Sequence, residues 1–389
     1  MKLYHLPPAG NRVQWSGAVD EAAVRGLFAP WEPTFFSSGT AGLAALLTVL
    51  RTRMPGRVEV VLAAYNCPDM ISAVLHAGCV PRLVDMAAGT PWMDPAEVAR
   101  ATGPRTLAII GVDLFGIPER HALLRESAQR EGCALIQDSA QGFPKRAGDT
   151  TWVGDAVVVS FGRGKPVSLL GGGAVLCRDR SLAQALGEVA VAAAGEDEPH
   201  HGRRVKAYNL LRKPRLYWIP ASMPSLHLGE TRFEALEGIA PMSPWLKVRI
   251  PPAVSAYRAR GSGAERQYSA MTFAKGVVDL ARSCGLPGSA PLSRYPLLLP
   301  DAEARDRAWS ELEWHGVSRF YGAALPEVAG LEELLGASRD EFPVARDFAA
   351  RLLTLPTHDG VRQRDVAAIG RLLGGGQVTV VKPLRESAG

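Results

Sequence analysis

Ala156-Val157-Val158-Val159-Ser160-Phe161-Gly162-Arg163-Gly164-Lys165 is the stretch that decides how this chain is read. Four apolar, mostly β-branched residues make a strand buried on both faces. A lysine follows at once, between Gly164 and Pro166. Just upstream, Ile136-Gln137-Asp138-Ser139-Ala140-Gln141 ends another apolar run, this time on an acid. Further upstream the chain alternates strand-like residues 58–62, 81–85, 107–112 and 134–137 with helix-like residues 68–77, 94–101 and 118–131. That alternation predicts an α/β fold with a mostly parallel, mixed sheet flanked by helices. In such sheets ligands bind beyond the carboxyl ends of the strands, which directs attention to the residues after Leu62, Val112, Gln137 and Val159.

Two glycine-bearing segments flank this core. Ser37-Ser38-Gly39-Thr40-Ala41-Gly42 opens an Ala/Leu-rich helix reaching about Leu50. Its N-terminus offers free backbone N–H groups to an anion, and it is equally well read as a plain Ser/Thr cap. Leu170-Gly171-Gly172-Gly173-Ala174-Val175 places three glycines before an apolar strand, so a dinucleotide fingerprint, which needs a following helix, fits poorly. Gly164-Lys165 is not a phosphate-binding P-loop either, because Val159 stands where the first glycine belongs and Pro166 replaces the Ser/Thr.

With 389 residues, two or three domains are expected at roughly 100–200 residues each. Residues 1–255 read as a large domain, with an irregular Pro-, Arg- and aromatic-rich segment of one or two short helices at about 195–255. Residues 256–389 read as a smaller C-terminal α+β domain, with helices over 267–284, 302–315, 343–353 and 363–373 and a strand over 295–299. The run 374–376 and the final residues read as a frayed tail. Hydrophobic residues make up 47% and no stretch reaches the roughly 18 apolar residues of a membrane span. Residues 1–15 lack an apolar leader core, so the expected location is cytoplasmic. The formal net charge is +5 with arginine scattered along the chain, which fits an anionic small molecule better than nucleic acid. The five cysteines show no metal-binding spacing, so no metal is expected.

Taken in order, Ser38-Gly39-Thr40-Ala41, Asp138-Ser139-Ala140-Gln141, Ser160-Phe161 with Lys165, and Gly172-Gly173-Ala174-Val175 resemble the DegT/DnrJ/StrS family of pyridoxal 5′-phosphate (PLP)-dependent sugar aminotransferases, fold type I, from about Phe36 to Asp179. The resemblance implies a large PLP-binding domain. It implies Gly39, Thr40 and Ser160 at the cofactor phosphate, Asp138 at the pyridine nitrogen, Gln141 at the ring and Lys165 as the Schiff-base lysine. It also implies a homodimer, with an amino donor such as glutamate and a keto sugar as substrates. Arg319-Phe320-Tyr321 is similar to a family segment near the substrate, which makes Arg319 and Tyr321 candidate substrate residues; a surface Arg beside a core Tyr is the other reading. Three departures stand out. Cys67 occupies the usual place of an aromatic that stacks on the ring, so either Tyr65 stacks instead or the ring face is thinly covered. Gly171 replaces a glutamate. The segment that reaches a neighbouring subunit's phosphate is not recognisable between Gly195 and Gly263. Other PLP chemistry on this scaffold, or PLP binding without turnover in a regulatory protein, remain alternatives.

Overall fold

The computed structural model describes residues 4–146, 152–189, 197–223, 225, 228–260, 263–336 and 341–375. The proposed tail thus lies outside the described residues beyond position 375. Seven strands form the main sheet: β1 (Glu32–Phe36), β2 (Glu59–Ala63), β3 (Val80–Val84), β4 (Thr106–Val112), β5 (Ala134–Asp138), β6 (Ala156–Ser160) and β7 (Gly173–Cys177), in the order β1-β7-β6-β5-β4-β2-β3. β3, β2, β4, β5 and β6 are parallel neighbours, and β7 alone runs against the rest, pairing antiparallel with both β6 and β1. The expected mixed, mostly parallel sheet is therefore present.

Side-chain alternation along the strands sorts the core into layers. Val60, Leu62, Ala108, Ile110, Ile136 and Val158 face the Gly39–Arg53 and Pro68–His76 helices. Val61, Ile109 and Leu135 face the opposite way, onto Leu124 and Ala128 of the His121–Glu131 helix and Val98 of the Pro95–Ala101 helix. The Gly39–Arg53 helix is apolar nearly all round because it is buried nearly all round.

A second, antiparallel sheet has the order β10-β9-β8, from β8 (Val278–Asp279), β9 (Arg294–Leu298) and β10 (Leu352–Pro356). Three expectations are corrected, two of them by this sheet. The helix predicted over 267–284 is broken into a helix Ala264–Ser269, strand β8 and one turn at Leu280–Ser283. Gly276, at φ +87°, and the Asp279 side chain, which caps the last turn at Arg282 N, supply the break. The helix predicted over 343–353 stops at Arg351, and the apolar run that follows becomes β10, whose five residues are all buried. The segment expected to be irregular holds a 14-residue helix, Glu198–Leu211, capped by the Asp197 carboxylate. Its apolar residues lack a helical period, and packing of His201 and Gly202 against Trp15 does the stabilising.

The two sheets are tied by an acid of the first and a helix of the second. Asp85, just after β3, accepts from Val344 N (3.0 Å) and Ala345 N (2.8 Å) at the start of the Pro343–Arg351 helix. Leu325 N donates to Ala64 O at 2.7 Å nearby. Among the described residues no helix is long and apolar enough to cross a membrane.

β7 begins against the N-terminus of the Gly39–Arg53 helix. A Cβ at Gly173 would fall 2.4 Å from Gly39 N and 2.6 Å from Ser38 C, both backbone atoms that cannot swing away. Gly173→Ala is expected to cost about 1–3 kcal/mol of unfolding free energy. Urea denaturation followed by circular dichroism checks it; an unchanged midpoint would show that the helix start is not held this tightly.

Candidate active site

The helix start, the strand ends and one loop converge on a single cleft. Ser38 caps the Gly39–Arg53 helix, its Oγ accepting from Ala41 N at 3.0 Å. Residues 161–172 form a loop closed on itself and on the helix start: Leu169 N donates to Phe161 O (2.8 Å), Phe161 N to Gly172 O (2.8 Å) and Gly172 N to Ser37 O (2.8 Å). Gly164 within it sits at φ +79°, a conformation that favours glycine. The closure holds Ser160 and Lys165 beside the helix N-terminus. A Cβ at Gly39 would lie 3.1 Å from Ser160 Cβ, filling the space between them.

Gly39, Thr40, Asp138, Gln141, Ser160, Lys165 and Tyr321 all line this cleft, as the sequence led one to expect of residues that belong together. Lys165 stands at a junction, because two further cavities of about 620 Å³ each also reach it. Asp138 accepts from Ala140 N at 2.8 Å. Burial pushes its carboxyl above the ordinary range, the Lys165 ammonium pulls it back, and the charge of Asp113 pushes it up again. Gln141 is fixed at both ends: Oε1 accepts from Phe115 N (3.0 Å) and Nε2 donates to the Tyr321 hydroxyl (3.2 Å).

Arg319 requires a correction. Its guanidinium lies 4.0 Å from the Trp309 ring and 3.5 Å from Asp306, on the outer Ala302–Leu312 helix and away from the cleft. Phe320, at φ +58°, turns the chain so that Tyr321 points inward while Arg319 points out. Tyr65 does not face the cleft either. It is fully buried against Phe348 (5.0 Å) and Tyr321 (5.8 Å), and the neighbouring Asn66 and Cys67 line the wall. Burial pushes the Cys67 thiol up to about 12, so it stays protonated and un-nucleophilic at neutral pH.

Three features escaped the sequence reading. Asn66 accepts from Cys67 N (2.8 Å), and its buried Nδ2 has no partner among the described residues. Arg294, at the start of β9, lines one of the two cavities that reach Lys165. Asp113, 3% exposed, gathers His121 Nε2 (2.9 Å), Gln137 Nε2 (2.9 Å), Ser139 Oγ (2.8 Å) and Glu119 N (3.2 Å), while its own N–H donates to Asp138 O (2.9 Å). Asp113 follows an apolar strand as Asp138 does, so strand-end position was its one available signal. Among the described residues no group of three metal-binding side chains converges.

Asp113→Asn places an amide N–H against donors and strips the charge from a buried cluster. It is expected to cost on the order of 3 kcal/mol, read from chemical denaturation. A loss below about 0.5 kcal/mol would mean that the cluster does not hold β4 against β5.

Residues 33–225 match the DegT/DnrJ/EryC1/StrS aminotransferase family. The erythromycin biosynthesis sensory transduction protein EryC1 of Saccharopolyspora erythraea is 38% identical over 129 residues, 32% of this chain and 35% of that protein. The dTDP-3-amino-3,4,6-trideoxy-alpha-D-glucose transaminase of Streptomyces venezuelae is 35% identical over 131 residues, 33% of this chain and 35% of the enzyme. The matches thus span about a third of the length of these curated relatives. NtdA of Bacillus subtilis, solved with bound cofactor PMP, shares the fold with a TM-score of 0.64 at 16% identity, over 92% of this chain and 78% of that one. Since the matched segment carries β1 to β7 and every cleft residue named above from Gly39 to Lys165, it is residues 33–225 that belong to the DegT/DnrJ/EryC1/StrS aminotransferase family.

Proposed function

We propose that this protein is a PLP-dependent aminotransferase that moves an amino group from an amino acid, glutamate in the first instance, to the keto carbon of an activated sugar. The observation that carries the reading is the pairing of Lys165 and Asp138 in one cleft beside an open helix N-terminus. The residues present fit the cofactor. Gly39 leaves the space beside Ser160 that a phosphate needs, and the buried Asn66 Nδ2 lacks a partner in the protein. The sugar transaminase and the PMP-bound relative support the substrate and cofactor class.

In this arrangement Gly39, Thr40 and Ser160 hold the phosphate, where the helix N-terminus adds its partial positive charge. Asp138 would keep a proton on the pyridine nitrogen, and Gln141 would hold the ring. When bound, the cofactor supplies an electron sink for charge developing at the substrate carbon. The Lys165 amine would hold the cofactor and, once free, would be the base that takes up and returns the substrate proton. Its place at the junction of the cleft and two cavities gives it reach on both the cofactor and the substrate side. Asp113 supports the backbone of Asp138 from beneath, its N–H donating to Asp138 O, while its charge opposes that of the Asp138 carboxylate.

The reading extends to a cytoplasmic homodimer with separate domains at 1–255 and 256–389. All five cysteines are free, as in a reducing compartment. Tyr217 and Trp245, in the aromatic-rich segment, pack inside the chain on His5, Trp15 and His201. The exposed Leu210, Ile219 and Met223 are the better support for a dimer contact. The similarity to the sensory transduction protein EryC1 favours a second reading, a PLP-binding regulator without turnover.

Borohydride reduction of the PLP-loaded protein followed by peptide mapping is expected to label Lys165, and label on another lysine would falsify the assignment. Glutamate is expected to bleach the visible band of the loaded protein; a band that no amino donor alters would favour the regulator. Lys165→Ala is expected to abolish turnover. Asp138→Asn is expected to lower it about 100-fold or more with the cofactor still bound.

A further inference from the structure

Cys67, Asp69, Gln141, Lys165 and Tyr321 line both the cleft and the cavity of about 620 Å³ that Arg294 lines, so these five side chains form the neck between the two spaces. Four of them are linked. Gln141 Nε2 donates to the Tyr321 hydroxyl at 3.2 Å, the hydroxyl donates toward the Cys67 sulfur, and the thiol donates toward the Asp69 carboxylate. Lys165 completes the neck, and among the described residues it and Asp69 are the two members that carry a charge. Asp69 lies in the first turn of the Pro68–His76 helix and is exposed, so water softens its interactions. The protein around it still displaces enough water to push its carboxyl above the ordinary range. The Lys165 ammonium and the Cys67 thiol pull it back, and the charge of Glu234 pushes it up again.

Asp138 lines the cleft but not the cavity, and the cofactor's ring would engage it. Asp69 is then the carboxylate left beside Lys165 in the neck. The wider surroundings give a positive charge at Lys165 no such help. The cavity with Arg294 adds Arg163 and Arg212 against Glu230, and the other cavity at Lys165 adds Lys145, Arg146, Arg260 and Arg266 against Glu265 and Asp359. Burial pushes His358 down to about 4 and the phenols of Tyr321, Tyr208 and Tyr257 above their ordinary range, so none of these is charged at neutral pH. A cationic field therefore opposes a positive lysine nitrogen, and one near carboxylate favours it. We infer that Asp69 is a positioning residue for Lys165, the counter-charge that holds its nitrogen in the neck where cofactor and substrate meet. The inference rests on the reading above that Lys165 attaches the cofactor. Once joined to it, that nitrogen is a much weaker base than a free amine, and the carboxylate favours its protonated form. The competing role for Asp69 is purely local, an acid in a helix's first turn that complements the helix dipole.

The test follows the visible spectrum of the PLP-loaded protein against pH. The long-wavelength band of the protonated link fades as the pH rises through its midpoint. Asp69→Asn removes one negative charge at nearly constant shape, and the midpoint is expected to fall by about 0.5–1 pH unit, the size for a single charge softened by water. Asp69→Glu keeps the charge on a longer stem and is expected to recover most of that fall. Glu234 acts on Asp69 without lining the neck and pairs with Arg232 at 2.9 Å, so Glu234→Gln is expected to leave the midpoint unchanged. Because Asp69 is exposed, its variants are expected to melt within a few degrees of the parent. An unmoved midpoint in Asp69→Asn overturns the inference and leaves Asp69 serving the helix alone. An equal fall in Glu234→Gln makes the effect a diffuse field and overturns it, as does failure of Asp69→Glu to recover any of the fall. A lowered midpoint in Asp69→Asn, in a protein whose band no amino donor alters, upholds Asp69 while removing the aminotransferase reading. Borohydride label absent from Lys165 removes both.

Discussion

The close approach of β7 to the start of the Gly39–Arg53 helix is the constraint on which the site depends. At Gly173 the two backbones lie nearer than any side chain allows, and the bond from Gly172 N to Ser37 O fastens the same junction from the neighbouring residue. β7 can sit there only because it runs against its neighbours, entering the sheet between β1 and β6. The loop that connects β6 to β7 must therefore fold back over the helix N-terminus, and Lys165 rides on that loop. A lysine that sequence alone would send to solvent is brought beside Ser160, Gly39 and Asp138 by hydrogen bonds between backbone groups.

Beneath the cleft a second set of buried groups steadies the strand ends. Asp113 and Asp138 follow adjacent parallel strands, and two carboxylates so close are mutually unfavourable. The donors gathered around Asp113 make its charge tolerable, which leaves Asp138 as the acid that faces the cleft. Asp85 gives the arrangement its second wall, since it caps the helix that packs beside Tyr65 and Tyr321.

The strand-end rule made most of the first wall legible before any coordinates. Gly39, Thr40, Asp138, Gln141, Ser160 and Lys165 all follow an apolar run or open an apolar helix, and local pattern is enough to see that. The second wall was harder because its determinants are not local. β10 shares its apolar run with the helix before it, so burial from both sides, a tertiary fact, chose strand. Arg319 and Arg294 look alike in sequence. The left-handed backbone at Phe320 turns one outward, and the register of β9 turns the other inward. Asn66 was passed over because an amide after a strand reads as a turn, and its vacant donor is visible only once its surroundings are filled in.

The bridge from Phe115 through Gln141 to Tyr321 joins chain segments separated by 180 positions. During synthesis the seven-stranded sheet and the lysine-bearing loop leave the ribosome well before Tyr321 and β10 do, and domains generally fold in the order in which they emerge. A nascent chain therefore presents half a cleft, with the wall at the helix N-terminus formed and the opposite wall missing. A ligand that needs both walls has nothing to grip until the last helices have docked. Ligand capture then waits on the docking of the second wall, and whatever binds adds its affinity to the stability of the two-walled cleft alone.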